Sequence, residues 1–208
     1  MKNHNHIKEK NPYRLAVMAS GSGSNAASFF SYFEQHPSIG VALVVTNNPD
    51  AYVVERARAA GIPVEVISGK MWKEPEKVTA IFDAYAINAI VLAGYMKLIP
   101  SFLVRRYPDR IFNIHPALLP DFGGKGMYGR HVHQAVLDAG AQKTGITIHL
   151  VNEQYDEGPV LFQKAIPVLP DDTPESLASR IQEMEHYHYP RVIEQALLEN
   201  QQISSKYT

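Results

Sequence analysis

The sequence predicts an α/β fold: a mostly parallel sheet with helices on both faces, with antiparallel strands added in the C-terminal half. Three observations carry that prediction. In the first half, short uninterrupted apolar runs alternate with stretches of helical periodicity. Runs without polar alternation belong to strands buried on both faces, as in a parallel sheet covered by crossover helices. A loop of glycine and serine follows the first run and opens the first helical stretch, the place where doubly wound sheets bind ligands. In the second half two strictly alternating or apolar runs are separated by only a short acidic turn, which favours antiparallel pairing.

The elements follow in order. Arg14 to Ala19 is an apolar run ending in Ser20-Gly21-Ser22-Gly23-Ser24-Asn25, and a helix with Phe29, Phe30 and Phe33 on one side comes next. Val41 to Val45 is β-branched and stops at Thr46-Asn47-Asn48. Pro49 and Asp50 open a helix carrying Val53, Val54, Ala57 and Ala60, with Gly61 as its stop. Val64 to Ile67 is a third strand. Val78, Ile81, Phe82 and Tyr85 mark the next helical face. Ala89 to Ala93 is a fourth strand, closed by Gly94, and Leu103 and Val104 lie in a short helix before the strand that begins at Ile111. Right-handed crossovers make this half Rossmann-like. Asp121 to Gly129 is a glycine-rich loop, with a helix around His133 to Leu137. Gly145 to Val151 and Pro159 to Val168 are the late strands. Thr173-Pro174-Glu175 starts the last helix with a hydroxyl cap, a proline in the first turn and an acid beside it. Pro190 is expected to kink that helix.

The bulk numbers exclude several classes. A chain of 208 residues fits one domain, read as 1–208 with tails at 1–12 and 200–208. Lys and Arg number 20 against 21 Asp and Glu, so no global charge favours nucleic acid or a membrane surface. The absence of cysteine removes disulfides, thiolate zinc sites and a cysteine nucleophile. No apolar run reaches membrane-spanning length, and MKNHNHIKEKNP lacks the apolar core of a signal peptide, so a cytoplasmic location is expected.

Chemistry concentrates in Ile111-Phe112-Asn113-Ile114-His115-Pro116. In an extended backbone residues i and i+2 share a face, so Asn113 and His115 project together. Pro116 places them at the strand's end. An amide donor beside a titratable ring suits acyl transfer, where charge builds on a carbonyl oxygen. A buried structural pair is the bland alternative. Asp156, in the turn Tyr155-Asp156-Glu157-Gly158-Pro159, would favour the imidazolium if it met His115; a surface turn aspartate is the other reading. The Gly21–Asn25 loop offers backbone amides at a helix start, suited to a phosphate monoester rather than a dinucleotide, with a plain tight turn equally open. His131 with His133, and His186 with His188, lack helical zinc spacing, so no metal is expected. Asp171-Asp172 reads as a solvated turn. Glu185 reads either as a surface charge or as an acid on a helix face toward a pocket.

These motifs are familiar together. ASGSGSN near the start, NNPDAYVVERARAAGIP, VLAGYMKLI, NIHPALLP, GITIHLVNEQYDEGPV and QEMEHYHYP make the chain resemble the phosphoribosylglycinamide formyltransferase family of the folate-dependent formyltransferase superfamily, over nearly all of residues 13 to 199. The resemblance implies formyl transfer from 10-formyltetrahydrofolate, as co-substrate, to the amine of glycinamide ribonucleotide, without metal. It implies Asn113, His115 and Asp156 as the catalytic trio, with Asp156 keeping His115 charged. It implies Gly23, Ser24 and Asn25 on the substrate phosphate and Glu185 on the same substrate. Met96, Lys97, Leu98 and Ile99, with Asn113, match the folate-binding positions, and Thr147 and His149 match positions near the catalytic residues. The loop FGGKGMYGRHVHQAV is longer and more basic than in relatives with the short PGLHTH form, which leaves the role of Lys125 open. Lys70 and Lys73 are the candidates for the folate tail. A formyltetrahydrofolate hydrolase and a non-catalytic nucleotide-binding module are the rival readings, and oligomeric state is open.

Overall fold

The structure, a computed structural model, describes residues 12–204; of the expected tails at 1–12 and 200–208, residues 1–11 and 205–208 lie outside the described residues. The chain divides into two compact units, one ending at Ile111 and one starting at Phe112.

The first unit holds β1 (Tyr13–Met18), α1 (Ser24–Phe33), β2 (Ile39–Thr46), α2 (Val53–Ala59), β3 (Val64–Val66), α3 (Pro75–Ala84), β4 (Ala89–Leu92) and α4 (Ser101–Arg106). Its strands run in the order β3-β2-β1-β4, and every ladder is parallel. Leu15, Val17, Leu43, Val44, Ile90 and Val91 have no exposure, which is why these runs lack polar alternation. On α1 the buried face is Asn25, Ala26, Phe29 and Phe33, whereas Phe30 is only half-buried. The helix expected to open at Pro49 begins at Val53. The Asn48 carboxamide accepts from the Asp50 N–H at 3.1 Å, an Asx turn that delays the helix.

The second unit holds β5 (Ile111–His115), α5 (Arg130–Asp138), β6 (Lys143–Leu150), β7 (Val160–Pro167) and α6 (Pro174–Ser204). β5 pairs antiparallel with β6, and β6 with β7. The Thr173 hydroxyl accepts from the Ser176 N–H at 3.2 Å and so caps α6, as its sequence predicts. The helix runs through Pro190 without ending. Tyr189 of α6 is fully buried and its hydroxyl donates to the Phe112 carbonyl at 3.0 Å, fixing β5 from behind. No helix of the described residues is long and apolar enough to cross a membrane.

Candidate active site

Asn113 and His115 stand at the C-terminal end of β5, with Ile114 between them turned into the core. The antiparallel register sets Asn113 opposite His149 and His115 opposite Thr147, so four polar side chains share one face of two strands. Asp156 reaches the same place from the β6–β7 turn. Its Oδ2 lies 3.5 Å from His115 Nδ1, and its Oδ1 accepts from Asn113 Nδ2 at 3.4 Å. The three residues singled out from the sequence are therefore neighbours in space.

The turn is shaped to deliver that carboxylate. Asp156 adopts a left-handed backbone (φ 58), which aspartate tolerates better than most residues. Gly158 lies so close to the end of β6 that a Cβ there would sit 1.7 Å from the Leu150 carbonyl oxygen. The turn closes with the Leu150 N–H donating to the Pro159 carbonyl at 2.9 Å. Gly158→Ala should force the turn off β6, costing about 1–3 kcal/mol as an overpacking change and moving Asp156. Urea unfolding with a parallel record of the His115 ring resonances checks this; native stability with unmoved resonances would contradict it.

The 121–129 loop supplies main-chain partners. The Gly124 N–H donates to Asp156 Oδ2 at 2.9 Å, and His115 Nε2 lies 2.8 Å from the Phe122 carbonyl oxygen. A carbonyl only accepts, so Nε2 carries a proton, leaving Nδ1 as the basic nitrogen facing the carboxylate. His149 Nδ1 likewise donates to the Leu150 carbonyl at 2.8 Å. Its Nε2 lies 3.1 Å from Asn113 Nδ2 and 3.6 Å from Asp156 Oδ1. With the Nδ1 proton donated to the Leu150 carbonyl, Nε2 is the nitrogen that can accept from the Asn113 amide.

Electrostatics depart from expectation at His115. Burial lowers its pKa below the ordinary value, and the opposing pull of Asp156 and the Phe122 carbonyl does not overcome this; His149 lowers it further. The ring is 3% exposed, so desolvation dominates and Asp156 does not keep His115 charged in the free protein. For Asp156, burial acts to raise the pKa but is outweighed by hydrogen bonding with His149, the positive field of His115 and the Gly124 N–H, so the carboxyl stays below its usual range. His133 of α5 is also buried and lowered, by desolvation first and then by His115.

These directions fix a pH dependence of stability. Below the ordinary value of 6.5 the unfolded chain binds protons that folded His115 and His133 do not, so stability falls as pH drops through that window. Asp156 adds a second loss below 3.8, where the unfolded carboxyl protonates first. Thermal unfolding between pH 7 and 5 should show a falling Tm, with a shallower slope in His133→Asn; equal slopes in both proteins would contradict the assignment.

A clamp holds the segment that follows His115. The Thr147 hydroxyl donates to the Ala117 carbonyl at 2.7 Å and accepts from the Leu119 N–H at 3.0 Å. Gln163 Nε2 donates to Thr147 Oγ1 at 3.0 Å and to the Leu119 carbonyl at 2.8 Å. Gln163, the Phe122 carbonyl and the Gly124 N–H were not marked by sequence reasoning. Gln163 faces Thr147 in the β6–β7 register, so alternation along the two late strands was the available signal.

In the first unit, Gly23 is the N-cap of α1, in a left-handed conformation (φ 70). A Cβ there would meet Val53 Cγ2 at 2.5 Å, so both conformation and space require glycine. Ser24 opens the helix and Asn25 is buried. Further along, the Met96 N–H donates to Ser20 Oγ at 3.0 Å. Met96 and Leu98 are 48% and 45% exposed and Lys97 is exposed, whereas Ile99 is buried and serves the core. In the second unit Glu185 is 9% exposed, which rules out a plain surface charge. No group of His, Cys, Asp or Glu among the described residues could hold a metal ion.

Comparison with known proteins supplies a frame for this geometry. The sequence model of a family described as formyl transferase matches residues 13–193. The chain is 46% identical over 187 residues to the chloroplastic phosphoribosylglycinamide formyltransferase of Arabidopsis thaliana, covering 86% of this chain and 64% of that protein. It is 38% identical over 189 residues to the phosphoribosylglycinamide formyltransferase of Bacillus subtilis, covering 88% of this chain and 94% of that one. It thus spans less than two thirds of the Arabidopsis relative (64%) and of a similar Vigna unguiculata protein (60%). Among solved structures, phosphoribosylglycinamide formyltransferase from Bacillus halodurans superposes with a TM-score of 0.80 at 39% identity, over 88% of this chain and 95% of that one.

Proposed function

The chain belongs to the formyl transferase family, and on that premise we propose that it transfers a formyl group from 10-formyltetrahydrofolate to the amine of glycinamide ribonucleotide, a step of purine biosynthesis. The observation that carries this reading is the meeting of Asn113, His115 and Asp156 within 3.5 Å, on a strand end and a turn. The family match runs through both units, which supports one formyltransferase domain.

The residues support a stepwise addition. The amine nitrogen bonds to the formyl carbon, and the carbonyl becomes a tetrahedral oxyanion. Asn113 Nδ2–H donates to that oxygen, exchanging its long 3.4 Å contact with Asp156 for it. His115 Nε2–H donates a second bond once the formyl oxygen replaces the Phe122 carbonyl. His115 then takes up charge at Nδ1, where the Asp156 carboxylate stabilises the cation. The proton lost by the attacking nitrogen passes through the His115–Asp156 pair to N10 of the folate as the N10–carbon bond breaks. In this reading Gly23, Ser24 and Asn25 hold the ribose phosphate, which orients the amine, and Glu185 contacts the same substrate. Exposed Met96 and Leu98 offer apolar surface to the folate, with Lys97 beside them and Ile99 shaping the stretch from within. No nucleic acid or membrane partner enters. A reducing compartment, the cytoplasm, accords with the cysteine-free composition, although the plant relatives are named chloroplastic.

An absorbance assay of 10-formylfolate deformylation, with and without glycinamide ribonucleotide, tests the reading. Turnover that requires the amine is the expected result. Amine-independent turnover would indicate a hydrolase, and none at all a binding module; either outcome defeats the proposal.

A further inference from the structure

The phosphate loop rests on α2 through two consecutive carbonyls. The Val53 N–H donates to the Gly21 carbonyl at 3.2 Å, and Arg56 Nε donates to the Ser22 carbonyl at 2.9 Å. In a trans peptide the C=O of one residue and the N–H of the next point in opposite directions. Drawing both carbonyls toward α2 therefore turns the Ser22 and Gly23 N–H groups to the opposite side. Neither N–H donates to an acceptor among the described residues. Successive amides turned to one side form a concavity that receives an anionic oxygen. The Arg56 guanidinium also lies 5.0 Å from the Tyr52 ring centroid, which limits its freedom. Gly23, wedged against Val53, leaves the loop no room to slide along α2.

We propose that Arg56 is a positioning residue for the substrate phosphate: by holding the Ser22 carbonyl it presets the amides that bind the anion, without touching the anion itself. The inference rests on the phosphate-site reading given above and extends it to a side chain on a different helix. It explains why an arginine suits this position. Its Nε donates in the plane of a rigid fork, and its charge lies on the carbonyl side of the loop, where it polarises the peptide and strengthens the opposite N–H.

The test compares Arg56→Met, which keeps the bulk and removes the donor, with Arg56→Lys, which keeps the charge and a donor. Ribose 5-phosphate binding is measured by calorimetry, and kcat/KM is measured for glycinamide ribonucleotide and for its dephosphorylated riboside. Arg56→Met should weaken ribose 5-phosphate roughly tenfold, the scale of a lost charge-assisted hydrogen bond and its consequences. The loss on the nucleotide should fall on KM rather than kcat, and the preference for nucleotide over riboside should shrink. Arg56→Lys should recover part of the binding, and it carries the comparison if the methionine variant does not fold. Unchanged ribose 5-phosphate binding in the variants, or equal losses on nucleotide and riboside, would overturn the inference, as would a wild-type protein that does not bind ribose 5-phosphate. Wild-type ribose 5-phosphate binding without formyl transfer, weakened in the variants, would leave this inference standing while defeating the broader functional reading.

Discussion

Asn113→Ala should lower kcat on the order of 10²–10³-fold while changing KM for either substrate little, the signature of a donor that acts mainly on the transition state. The amide belongs to a strand whose back is fixed by Tyr189, and its Nδ2 is set between His149 Nε2 at 3.1 Å and Asp156 Oδ1 at 3.4 Å. That placement costs little reorganisation when a carbonyl oxygen arrives and gains charge. Truncation removes the donor without a cavity in the apolar core, because Asn113 is only half-buried. Steady-state kinetics with both substrates varied decides it. A large rise in KM with kcat preserved would mean that the amide binds the ground state instead.

Asp156→Asn keeps the side-chain shape and removes the charge. The carboxylate is the largest influence raising the His115 pKa against burial, so its loss should move the His115 titration further below the ordinary value. Less imidazolium then forms when the oxyanion needs it, and the relay that carries the proton from the attacking amine to the leaving nitrogen loses one of its members. A fall in kcat on the order of 10²–10⁴-fold follows for a general acid–base unit. NMR titration of the His115 ring beside the kinetics separates the two effects. An unmoved titration midpoint would remove Asp156 as the charge partner.

Much of the fold was legible because periodicity reports burial directly. The parallel strands read as continuous apolar runs, and β6 and β7 were separable by alternation and by the short turn between them. The start of α2 was missed because Asn48 forms a side-chain turn that competes with the helix the proline suggested. In the site, the pairing of Asn113 and His115 on one face followed from strand geometry, whereas Asp156 was a candidate from its turn, with a surface aspartate equally open, and only the resemblance joined it to them. Its position depends on the closeness of Gly158 to β6 and on the left-handed Asp156 backbone, and neither is visible without the fold. The His115 pKa lies below its ordinary value rather than being held up by Asp156 for a related reason: the partner could be guessed, but the depth of burial that outweighs it could not. Main-chain groups such as the Phe122 carbonyl carry no side-chain signature, so only the folded loop brings them into view.

Asn113 and Asp156 are held here to work as one unit with His115 on a single reacting carbonyl, and a double-mutant cycle on kcat/KM measures that coupling in one number. Asn113→Ala combined with Asp156→Asn should be scarcely slower than the worse of the two single variants, because a unit already broken has little left to lose. Losses that multiply in full would show the two side chains acting independently and would contradict the account.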